Sequence, residues 1–359
     1  TSRNRHGRRA PARSGASRRV RMIPARDIPW HGDDWRRLLA EAITDPRELL
    51  ARLGLEGSPL AARVDAGSPF PVRVPAPLLA CMRRGDPDDP VLRQVLALQD
   101  ERRDVPGWVV DPLEEAEANP VPGLLHKYRG RALLVLTGGC AVHCRYCFRR
   151  HFPYEANRPG LAGLERALEH LATQTDVDEV ILSGGDPLML DDAFLDRVLT
   201  RLEAQPRLRR LRIHTRFPVV IPQRVTRALV DRLAGGRLKP VIVLHVNHAH
   251  EFDGGLPEAL EPLRAAGIPL FNQAVLLAGV NDDVETLEDL CRRAFDAGVM
   301  PYYLHLPDRV AGTAHFDVPE ARARALYDAL TARLSGYLVP RLVREIPGAP
   351  GKRPVAPRW

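Results

Sequence analysis

Cys140-Ala-Val-His-Cys-Arg-Tyr-Cys-Phe-Arg-Arg150 sets three cysteines at the spacing C-x3-C-x2-C. The run before it, Arg131-Ala-Leu-Leu-Val-Leu-Thr137, is short, apolar and β-prone, so it reads as a buried strand. Gly138-Gly139 closes that strand. The cysteines therefore belong to a loop at the C-terminal end of a strand, where α/β barrels carry their chemistry. Iron–sulfur clusters usually take four thiolates, so three leave one iron open to an outside ligand. Two other readings of the spacing stand beside this one. Structural zinc would take His143 or His151 as a fourth ligand, although zinc sites usually arrive as two separated ligand pairs. A disulfide is disfavoured by the odd total of five cysteines and the lack of a secretory signal. Cys81 and Cys291 stand alone in helical context and read as buried thiols.

Outward from the cysteine loop, strand and helix alternate. Candidate strands are 131–137, 179–183, 210–215, 241–246, 270–276 and 301–306. Helical segments fall between them, among them Leu161–Thr173, Ala193–Ala204 and Thr286–Ala297. Strands alternating with helices imply a parallel sheet. The pattern alone leaves a barrel and a doubly wound sheet both open. Residues 22–126 read as a mainly helical N-terminal region, with a helix start at Thr44-Asp-Pro-Arg-Glu48 and a helical stretch from Val91 to about Asp100. Asp111 to Gly123 holds three prolines and an acidic run, and reads as an extended arm of solvated charge.

At 359 residues the chain can bury a large core. No apolar run approaches the roughly 18 residues of a membrane span, so a cytoplasmic protein is expected. The net charge of +7 invites a nucleic-acid partner. Eight arginines and no acid lie within residues 1–21, and without them the charge is 7 − 8 = −1. The basic character belongs to a tail, expected to be disordered, and not to the folded body. Such a tail also has the look of an organelle transit peptide, and Met22 would serve as a start. The 52 basic residues include only three lysines: Lys127, Lys239 and Lys352. A lysine kept against that arginine bias is a candidate for amine chemistry, since lysine forms a Schiff base and arginine does not.

The second strand ends in Leu182-Ser-Gly-Gly-Asp-Pro-Leu188, where glycines let the backbone approach a ligand closely. With the cysteine loop one strand earlier, this pair of motifs resembles the radical S-adenosylmethionine (SAM) enzymes. The resemblance narrows with His245-Val-Asn-His248, Asn272-Gln273, Pro301-Tyr-Tyr-Leu-His305 and Ser335-Gly-Tyr-Leu-Val-Pro340. Together these resemble the lysine 2,3-aminomutase family, over residues 27 to 355. Pro122-Gly-Leu-Leu-His-Lys-Tyr128 and Cys147-Phe-Arg-Arg-His-Phe-Pro-Tyr154 resemble the branch that makes (R)-β-lysine for elongation factor P, which a lysyl ligase then attaches.

That resemblance implies a partial (β/α)6 barrel over 127–340, after the tail at 1–21 and the helical region and arm at 22–126, with a C-terminal segment at 341–359. It implies a 4Fe-4S cluster on Cys140, Cys144 and Cys147. SAM is expected against Ser183, Gly184, Gly185, Asp186, His245 and Gln273. Pyridoxal 5'-phosphate (PLP) is expected on Lys352, which follows the turn Pro347-Gly-Ala-Pro-Gly351, with Lys127, Tyr128 and Arg131 at its phosphate. The substrate carboxylate is expected on Arg149, and the distal ammonium of L-lysine on Asp308 and Glu345. Glu345 stands where the degradative aminomutases are expected to carry aspartate. No cysteine follows Cys291, so the zinc of those enzymes is not expected here. The competing functions are a degradative lysine 2,3-aminomutase and a radical SAM RNA-modifying enzyme. The folded-body charge argues against nucleic acid.

Overall fold

A computed structural model describes residues 34–157 and 160–355. The basic tail at 1–21 lies outside the described residues.

The six expected strands all form, within two residues of their expected ends. Leu124–Tyr128 (β1) precedes them, followed by Arg131–Thr137 (β2), Glu179–Gly184 (β3), Arg210–Thr215 (β4), Lys239–Leu244 (β5), Leu270–Val275 (β6) and Met300–His305 (β7). Arg341–Arg344 (β8) and Arg353–Pro354 (β9) complete a single nine-stranded sheet, in the order β1 through β9 without a reversal. A doubly wound sheet reverses its strand order at a switch point, and this one does not. It is a partial barrel, parallel from β2 to β8 and edged by antiparallel β1 and β9. The sheet runs past residue 340, because β8 pairs in parallel with β7. At four residues, with only Leu342 and Val343 buried, β8 gives too short an apolar signal to read as a strand.

Side chains alternate across each strand. One set faces the surrounding helices and packs as core: Leu134, Leu182, Ile213, Ile242, Ala274, Leu304 and Leu342 are almost wholly buried. Their partners include Leu168, Leu199, Leu233, Leu263 and Leu290, spaced as apolar stripes along the barrel helices. Two of the barrel helices start at carboxylate caps. Asp191 accepts from the Phe194 N–H at 2.7 Å, and Asp283 from the Thr286 N–H at 2.8 Å. The other set of strand side chains points into the lumen and builds the site.

Regular structure before β1 is helical but short. It comprises Trp35–Ala40, Pro46–Leu53, Ala76–Ala80 and Pro90–Arg93, with single 3-10 turns at Ala61–Arg63 and Gln99–Arg102. The expected start at Thr44-Asp-Pro is the cap of the second helix, where Asp45 accepts from the Arg47 N–H at 2.8 Å. The stretch 91–100 is not one helix, since it breaks after Arg93. Residues 104–123 form the arm, which crosses the C-terminal end of the barrel. There Val109 and Val310 form a parallel bridge with two backbone hydrogen bonds of 2.9 Å.

Candidate active site

The cysteine loop is stitched to the end of β3. The Gly185 N–H donates to the Thr137 carbonyl at 2.7 Å, and the Asp186 N–H to the Gly139 carbonyl at 2.8 Å. Both contacts require glycine. Gly184 holds φ at +121°, and a Cβ on Gly185 would collide with the Gly139 carbonyl. Cys140, Cys144 and Cys147 line one cavity of about 180 Å³ with Ser183, Gly184, Gly185, Asp186, His245 and Gln273. All are free thiols. Among the described residues, no three histidine, cysteine or acidic side chains gather as a single-ion site. The two histidines of the zinc reading are engaged elsewhere. His143 Nδ1 lies 2.7 Å from the Pro71 carbonyl, and His151 Nε2 lies 3.0 Å from that of Ala311.

Asp186 serves the chain itself. Its buried carboxylate accepts from Thr215 Oγ1 at 2.8 Å and from the N–H groups of Leu188, Arg216 and Phe217 at 2.8 to 3.0 Å. Burial raises its carboxyl, and these donors work against that. Gln273 is the opposite case: its Oε1 is buried with no hydrogen-bond partner among the described residues, as is His305 Nε2. Both line the cavity, and an unpartnered buried polar atom is unfavourable until a ligand meets it.

A second cavity of about 440 Å³ continues down the lumen. The two share Arg149, Ser183, His214, His245, Gln273, Glu345 and Lys352. Lys352 reaches this wall because β8 and β9 make a hairpin, with Glu345 and Lys352 at the two ends of its loop. Gly348, at φ +69°, makes the reversal possible. Lys352 Nζ donates to Glu345 at 2.8 Å. Glu345 also pairs with Lys127 at 3.3 Å and accepts a hydrogen bond from Tyr128. Burial alone would raise the Glu345 carboxyl. Lys352 and Lys127 outweigh it and hold the carboxyl well below the usual range. Asp308 has no ion-pair partner among the described residues. Burial first, then Glu345, pushes its carboxyl up to about 7.

Arg149 points into the same lumen, buried. Its Nε and Nη2 grip Glu115 at 2.7 and 2.8 Å, and Nη1 donates to Ser183 Oγ at 3.2 Å. Glu115 also pairs with Lys127 at 3.0 Å. A line of alternating charge therefore runs Lys352–Glu345–Lys127–Glu115–Arg149. Of the expected phosphate set, Lys127 and Tyr128 are engaged by carboxylates. Arg131 has no carboxylate partner among the described residues and lies over the Tyr128 ring at 4.4 Å. Lys239, the third lysine, is exposed at the start of β5, away from the site.

Several site residues escaped the sequence. Glu115, which the sequence presents as solvated charge on the arm, is only 3 % exposed. His214 packs against His245, Nδ1 to Nε2 at 3.2 Å. Burial drives both imidazoles down, His245 to about 4, so both are neutral near pH 7. Arg212 faces the lumen paired with Glu179 at 2.9 Å. Arg216 Nη1 lies 2.8 Å from Cys144 Sγ while Nη2 holds Glu251 and Gln94. The lumen phase of β4 gave the available signal for His214 and Arg212, since both alternate with buried Leu211 and Ile213.

The Radical SAM superfamily profile matches residues 134–253. The chain is 51% identical to an L-lysine 2,3-aminomutase of Escherichia coli, covering 90% of this chain and 94% of that one. It is 45% identical to one of Haemophilus influenzae, covering 93% and 98%. An L-lysine 2,3-aminomutase of Clostridium subterminale is 33% identical, covering 93% of this chain and 80% of that one.

Proposed function

The chain belongs to the L-lysine 2,3-aminomutase family of radical SAM proteins, and from that premise we propose that it converts L-lysine to β-lysine with a 4Fe-4S cluster, SAM and PLP. One observation carries the reading: Lys352, Arg149 and the acid pair Asp308 and Glu345 all line the cavity into which the three cysteines open.

The residues present fit the three groups. Three free thiols on one loop suit a cluster with an open iron. The unpartnered Gln273 Oε1 and the backbone at Gly184–Gly185 suit SAM beside it. The Asp186 carboxylate is satisfied by the chain, so its part is to fix that backbone. Arg131, without a carboxylate partner, and Arg212 suit a phosphate deeper in the lumen, with Lys352 as the amine. When bound, the cluster and SAM supply a hydrogen-abstracting radical and PLP an electron-delocalising ring.

The chain's own side chains do the rest. Arg149 holds the substrate carboxylate with the N–H groups that Glu115 and Ser183 leave free. Asp308 and Glu345 receive the distal ammonium, and two carboxylates for one cation select a long cationic amino acid over glutamate or alanine. Lys352 would hold PLP through its amine, and the ionised Glu345 beside it would keep that amine oriented by a hydrogen bond. Neutral His214 and His245 give the lumen polar contacts without adding charge. The arm over the barrel end keeps water from the radical.

The finer assignment is a supply of (R)-β-lysine for elongation factor P and its lysyl ligase. Glu345 supports it, standing where aspartate is expected of the degradative enzymes. An anaerobic assay tests the reaction: reconstituted protein with PLP, SAM, reductant and L-lysine, followed by mass spectrometry for β-lysine. Unchanged lysine with SAM cleaved would overturn it. Deleting the gene and weighing intact elongation factor P tests the pathway, and an unaltered mass would remove it.

A further inference from the structure

The arm contributes a residue to the site. We infer that Glu115 is a positioning residue for substrate binding, holding Arg149 so that its free edge faces the lumen; this rests on the aminomutase reading above.

A guanidinium has five N–H donors in a fixed fork. Glu115 takes two of them, on Nε and Nη2, and Ser183 takes one on Nη1. That leaves 5 − 3 = 2, one on each terminal nitrogen, for a carboxylate arriving from the cavity. The same Glu115 pairs with Lys127, tying the carboxylate subsite to the cation beside Glu345. A buried arginine lacking this partner would swing toward whatever anion is nearest, including the acids meant for the substrate ammonium.

The arm is built to present this one side chain. Asp111 accepts from the N–H of Glu115 at 3.1 Å and of Ala116 at 3.2 Å, folding the backbone into a tight turn. Glu114 sits at φ +51°, where a side chain is disfavoured. Leu113 is buried on the other side of that residue. The turn therefore drives Leu113 and Glu115 inward and leaves Glu114 outside. Its tether is the Val109–Val310 bridge.

The test uses reconstituted holoenzyme, with Glu115→Gln and Glu115→Asp compared with the native chain on L-lysine and on L-lysinamide, which lacks the carboxylate. Asp keeps the charge but falls one methylene short of the two-point grip, and guards against a variant that fails to fold. The expected result is a KM for lysine raised about tenfold or more with kcat within about threefold, in both variants. The dissociation constant for lysine, read from the cofactor absorbance before turnover, rises in step, while that for lysinamide moves less than threefold. Equal losses on both ligands, or no loss on either, would overturn the inference. A native enzyme that makes no β-lysine would instead sink the aminomutase reading and leave Glu115 aside.

Discussion

Asp308 and Glu345 face one cavity, yet Glu345 is held by two lysines and Asp308 by none among the described residues. The pair is unequal before substrate arrives. Burial and the neighbouring Glu345 raise Asp308 to about 7, so near neutral pH much of it still carries its proton. A raised carboxyl costs stability as pH climbs from its unfolded value of about 4, and a bound ammonium removes that cost. Lysine affinity should therefore rise with pH through about 7 and level off above it. Measured from pH 6 to 8.5, KM for lysine should fall with increasing pH in the native enzyme. Asp308→Asn should flatten that slope and raise KM roughly 10- to 100-fold, the worth of one charged hydrogen bond. A slope that survives in the variant would assign it to another group.

Lys352→Ala should abolish covalent PLP and turnover, while the cluster forms as before. Lys352→Arg should preserve the ion pair with Glu345 and still be inactive, because a guanidinium cannot form the imine. Borohydride reduction followed by peptide mass spectrometry checks this. Cofactor label on Lys127 in the native protein would displace Lys352 from its role.

Cys144→Ala should lose most of the bound iron and sulfide after reconstitution. Cys81→Ala and Cys291→Ala should retain it, since both thiols are buried in the core, where burial raises them toward the inert neutral form. Iron and sulfide analysis decides the point, and equal loss in all three would mean the thiols act through folding.

Gly185→Ala should destabilise the fold by about 1–3 kcal/mol, because a Cβ there meets the Gly139 carbonyl and the two loops must part. Chemical denaturation of the cofactor-free protein measures it, and iron uptake should fall in parallel. A variant as stable as the native chain would show that the loops are less tightly joined than the hydrogen bonds at Gly185 and Asp186 indicate.

Legibility followed the range of the interaction. The barrel strands from 131 to 306 stand out because each buries a run long enough to show above background, and the cysteine loop because its ligands are neighbours in sequence. Lys352 was legible through scarcity, as one of three lysines. Glu115 was not, because one glutamate in an acidic run looks like solvent until the turn at Glu114 aims it inward. β8 failed for brevity, and its pairing with β7 depends on the whole barrel being in place. His214 and Arg212 needed the lumen phase of a strand whose two faces both carry polar residues.

The line from Lys352 to Arg149 means that the ligand-free pocket already holds substitutes for what it will bind. Lys352 and Lys127 stand in for an ammonium at Glu345, while Glu115 keeps its hold on Arg149. At Glu345, loading is thus a swap of counter-ions more than a gain of a new one, so that end of the site adds to affinity only the small difference between two well-paired arrangements. The same swap run backwards helps expel the product, which differs from the substrate only in where one nitrogen sits. An enzyme that must release a near-twin of its substrate gains more from such an even exchange than from a deep well.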